Sequence, residues 1–127
     1  MGLDQSVYAV KFFKEIPDFV SSDYCDSFLP AEFDYWGKFW SLYAWMENLY
    51  REKGGTEKVF NCIPLRLTEQ DLERLDRDSD SDEFYEDRYF QTLEEEKEHE
   101  VEHLKDFIKN AKQAITEGYV VYYDSWW

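Results

Sequence analysis

The sharpest chemical pattern in the chain is His99-Glu100-Val101-Glu102-His103, which fits H-E-x-x-H. On a helix, residues i and i+4 share a face, so two imidazoles could hold one zinc ion while the glutamate serves as base. The surroundings argue against that use. Glu102 places charge beside the second histidine, and a segment this rich in glutamate matches the pattern cheaply. Both histidines fall about 100° or more round a helix from the stripe Val101, Leu104 and Ile108, which predicts an imidazole pair open to water. Neither Glu117 nor Asp124 is a supported third ligand. The motif is read as coincidental.

Asp76-x-Asp78-x-Asp80, with Asp87 at the twelfth place, echoes a calcium loop. Ser81 stands where the turn needs glycine, so a solvated acidic loop is the expectation. Cys25 and Cys62 lack metal-type spacing. No Ser/His/Asp or Cys/His set and no glycine-rich phosphate loop can be placed. The reading is therefore of a non-enzyme with no catalytic residue, no metal and no cofactor.

What remains is charge. The formal net charge is −15 over 127 residues, which excludes nucleic-acid binding by an extended basic surface. Between Glu69 and Glu102 sixteen acids face only Arg74, Arg77, Arg88 and Lys97, so −12 of the −15 lies in this stretch. A salt-adapted protein would spread its acid more evenly. Six glutamates fall among the nine residues Glu94 to Glu102, about one per 2.2 Å of helix. Duplex DNA carries about one charge per 1.7 Å of axis, so a basic groove built for nucleic acid could accept this surface as a decoy. The candidate partner-binding residues are Asp78, Asp80, Asp82, Glu83, Glu86, Asp87, Glu94, Glu95, Glu96, Glu98, Glu100 and Glu102.

Elements must position these residues. Pro30 to Lys53 carries three of the five tryptophans and reads as one long helix. Glu32 and Asp34 suit its positive end, Arg51 and Lys53 its negative end, and Gly54-Gly55 its stop. Apolar residues cover most of its girth, which predicts a core helix with Trp36, Trp45 and Met46 buried. Trp36, Trp40 and Tyr43 could alternatively line a ligand pocket as stacking partners. Before this helix, Met1 to Phe13 alternates as a strand, with Val7 and Ala9 on one face and Tyr8 and Val10 on the other. Glu15 to Leu29 reads as a loop.

After it, Lys58 to Leu67 predicts a strand edged by Pro64. Thr68 with Asp71 makes a capping box for a helix to about Leu75, and Leu67 with Leu72 makes a hydrophobic staple. Asp76 to Asp82 reads as a loop. A long helix follows from about Asp87 to Glu117, docked through Val101, Leu104, Ile108, Ala111 and Ile115, with Glu94 to Glu100 in solvent. Gly118 ends it, Tyr119 to Tyr123 is a strand, and the aromatic close Trp126-Trp127 predicts an end tucked onto the body. No apolar run reaches the length of a membrane span. This order predicts a single α+β domain over residues 1–127: a small, mostly antiparallel sheet containing both termini, packed on the aromatic helix, with an exposed acidic segment at 76–102.

Met1-Gly2-Leu3-Asp4, Tyr35-Trp36-x-Lys38-x-x-x-Leu42-x-x-Trp45-Met46-Glu47-Asn48 and Tyr122-Tyr123-Asp124-Ser125-Trp126-Trp127 together resemble a family of small uncharacterised tailed-phage proteins. The likeness covers about half the chain. This sequence departs from it at Gly37, Phe39, Trp40 and Tyr43, where members carry polar residues, and at Phe84-Tyr85, where members carry a Gly-Phe-Phe-Phe-Gly segment. The resemblance implies phage origin and a shared fold, not a reaction. With the acidic stretch, it leads to the expectation of an anti-defence or host-takeover inhibitor acting in the host cytoplasm, of the kind that blocks a defence nuclease or a CRISPR complex. Its partner would be a host protein with a basic nucleic-acid-binding surface. The alternatives are a small-molecule or nucleotide binder and a structural, self-associating phage protein.

Overall fold

The structure, a computed structural model, describes residues 3–10, 32–37, 39–81, 84 and 93–126, with the backbone alone at 10, 32, 33, 37 and 93–100. The chain forms an α+β fold, with four antiparallel strands and three helices among the described residues. In chain order these are β1 (Asp4–Val10), β2 (Glu32–Gly37), α1 (Trp40–Glu52), β3 (Leu65–Leu67), α2 (Glu69–Asp78), α3 (Leu93–Thr116) and β4 (Val120–Trp126). The sheet order is β2-β1-β4-β3, so the strands nearest the two ends of the sequence pair at its centre.

Strand alternation sorts the sheet into two faces. Gln5 and Val7 on β1 lie opposite Trp36 and Asp34 on β2, and opposite Ser125 and Tyr123 on β4. With Leu65 and Leu67 they make the inner face, against which the helices pack. Asp4, Ser6 and Tyr8 make the outer face with Tyr35, Trp126, Asp124 and Tyr122.

The expected helix from Pro30 to Lys53 is two elements. Glu32 to Gly37 is strand β2, and only Trp40 to Glu52 is helical. Phe33, Tyr35 and Trp36 favour a pleated surface as much as a helix, and Gly37 in a helix interior would cost about 1 kcal/mol. The register slips between Val7 and Tyr8, leaving Phe33 as an extra residue on β2. A bulge on an edge strand bends it and discourages pairing with foreign strands.

The stop of α1 is as expected. Gly54 has φ +96°, and Gly54 and Gly55 donate backward to the Arg51 and Tyr50 carbonyls at 3.1 and 2.9 Å. A Cβ on Gly55 would meet the Tyr50 ring at 2.2 Å, so the second glycine is required by packing.

Of the strand expected over Lys58 to Leu67 only Leu65 to Leu67 forms. Cys62 lies in the left-handed region at φ 58°, which breaks an extended run, and Phe60 is drawn into the core instead. The capping box of α2 forms in both directions: Asp71 N–H donates to Thr68 Oγ1 at 3.1 Å and Thr68 N–H to Asp71 Oδ2 at 2.9 Å. Leu67 and Leu72 are both buried. Asp76 to Asp78, expected in a loop, form the last turn of α2.

Helix α3 buries Leu104, Phe107, Ile108 and Ala111, with Val101 and Ile115 partly covered. It stops at Gly118, φ +96°. The expected helical start near Asp87, the loop at Glu15 to Leu29, and Trp127 lie outside the described residues. Trp126 is not tucked in: it is the last residue of β4 and is 64% exposed. Among the described residues no helix is long and apolar enough to cross a membrane.

Candidate partner-binding surface

The acidic stretch divides at Lys105. Its ammonium lies 2.8 Å from Asp76 Oδ1 and 2.8 Å from Asp80 Oδ1, and it donates to the Asp76 carbonyl at 2.7 Å. Burial pulls the Lys105 pKa down, but the bonds from Asp76 and Asp80 outweigh it, and the value is raised. This cation offsets Asp76 near the C-terminal end of α2, where the helix dipole disfavours negative charge. It also ties α2 to α3.

Asp78 is likewise engaged within the chain. It accepts from Trp45 Nε1 at 3.0 Å and lies 3.8 Å from both Arg74 and Arg77. Arg74 makes a paired contact with Glu52 at 2.7 and 3.1 Å, and its pKa is raised, first by that hydrogen bond. Trp45, expected in the core, is therefore half-buried at the α1–α2 junction, with the Arg74 guanidinium 5.8 Å over its ring. Of the acids assigned to partner binding, Asp78 and Asp80 thus hold local structure.

Glu102 is exposed, and Glu94, Glu95, Glu96, Glu98 and Glu100 lie on the helical backbone of α3, one turn or more before the docked half. Asp82, Glu83, Glu86 and Asp87 lie outside the described residues.

His103 does not stand in open water. Its Nε2 is 2.6 Å from Asp34 Oδ1, and its ring stacks on Trp36 with centroids 4.7 Å apart. Phe107, one turn on, meets Trp36 edge-on at 4.9 Å. Trp36 and Asp34 both face inward from β2, so the partner of His103 exists only because that segment is a strand. Taking it for a helix concealed the contact. Asp34 Oδ1 also accepts the Tyr35 backbone N–H at 2.8 Å. A nitrogen held this way orients the ring and anchors α3 to the sheet. Among the described residues no group of three or more His, Cys, Asp or Glu side chains is placed to hold a metal ion; the His99 and Glu100 side chains lie outside them.

The aromatic residues considered as ligand stackers are in the interior. Trp36, Trp40 and Tyr43 are 2%, 5% and 3% exposed. Tyr43 donates to the Phe60 carbonyl at 2.9 Å, and Trp40 meets Tyr43 edge-on at 5.7 Å. Beside them runs a buried polar chain that the sequence reading missed. Tyr123 hydroxyl donates to Gln5 Oε1 at 2.6 Å, and Gln5 Nε2 donates to the Phe39 carbonyl at 3.1 Å, at the start of α1. Burial pushes the Tyr123 pKa well above the ordinary 10.0. The one sequence signal for this network is Gln5 in an inward position of an alternating strand.

No protein-family model, no curated protein and no solved structure matches the chain.

Proposed function

We propose that this chain is a phage-encoded, non-enzymatic inhibitor. It would bind a host protein through that protein's basic nucleic-acid-binding surface and act in the host cytoplasm, with a defence nuclease or CRISPR complex as a fitting target. The observation that carries the reading is the single rod of α3. Because Leu93 to Thr116 is one helix, the six glutamates from Glu94 to Glu102 ride on one continuous element at about 2.2 Å of axis per charge. That density approaches the roughly 1.7 Å per charge of duplex DNA. Carboxylates also suit the N-terminal half of a helix, where the dipole is positive. The phage resemblance supports the same reading, since occupying a basic groove blocks its nucleic acid without any chemistry.

The immobilised chain should retain from bacterial lysate a protein that is released both by salt and by duplex DNA, and that loses its own DNA binding when the chain is added. Retention indifferent to salt and to DNA would overturn the proposal.

A further inference from the structure

We draw no further inference here: the strongest candidate, the buried indole N–H of Trp36 on the inner face of β2, left without a hydrogen-bond partner where the ring stacks on His103 of α3, carries nothing, because one orphaned donor does not define a ligand and nothing in the structure shows what would accept it.

Discussion

From Leu104 onward α3 is a core helix, with Leu104, Phe107, Ile108 and Ala111 beneath the sheet and its neighbours. In the nine residues from Glu94 to Glu102 the same helix carries six glutamates and one lysine. One continuous element thus joins a half held by packing to a half whose composition suits water. The boundary is marked by two side chains, His103 on Asp34 and Lys105 on Asp76 and Asp80. The comparison teaches where charge is structural. Acids within reach of Lys105, Arg74 or Lys53 hold elements together, and Asp71, Asp76, Asp78 and Asp80 are all of this kind. The glutamates earlier in α3 belong to the stretch assigned to a partner.

The comparison breaks first if the docked half is not a core. Phe107 is fully buried against Trp36, so Phe107→Ala should cost about 3–5 kcal/mol, the usual range for a buried aromatic truncated to alanine. Urea unfolding measures it, and a loss below about 1 kcal/mol would mean that α3 does not dock through this face.

A smaller loss is expected at the polar chain under the same sheet. Tyr123→Phe leaves Gln5 Oε1 buried without its donor, which should cost about 1–3 kcal/mol. The neutral hydroxyl is favoured in the fold, because burial raises the Tyr123 pKa above its ordinary value. Its contribution is therefore full below about pH 10 and lost as pH rises through the raised value. Alkaline unfolding curves of wild type and Tyr123→Phe should converge above pH 10. Parallel curves would detach the tyrosine from that instability.

Much of this plan is legible in local sequence. The Thr68–Asp71 box, the glycine stops at Gly54 and Gly118 and the stripe on α3 all depend on residues within one or two turns, and the structure has them. What escaped depends on distant partners. Phe33 to Trp36 satisfies both a helical and a pleated pattern, and the choice is made by pairing with β1, far away in sequence. Gly37 was the available hint. Asp76 to Asp78 looked too acidic to be helical because the cation that neutralises Asp76 sits 29 residues on. The exposure of Trp126 had no local sign at all. A strand end and a tucked aromatic read alike until the neighbouring strands are placed.

Removing the boundary cation sharpens the comparison. Lys105→Met should cost only about 0.5–1 kcal/mol, because the ion pairs are partly exposed and screened by solvent. The raised Lys105 pKa places this contribution below the ordinary lysine value of 10.5, fading as pH climbs through the raised one. The difference from wild type should shrink with added salt. Thermal melts at low and high ionic strength decide it, and a salt-independent loss would mean that the lysine stem packs rather than pairs.

The smallest effect on stability is expected where the largest effect on binding should appear. Glu94, Glu95 and Glu96 precede the docked half of α3, and like charges at this density repel one another. Reversing all three to lysine removes that repulsion but opposes the helix dipole near its N-terminus, so the two terms offset. Stability should move by no more than about 0.5 kcal/mol, as for surface changes away from buried features. Association with a basic partner should slow steeply, with dissociation far less altered, because peripheral charges act on encounter. A loss of several kcal/mol in stability would mean that the acidic half packs against the body, and α3 would then be one kind of helix throughout. Unchanged association with a captured partner would leave the acids as a solvated face.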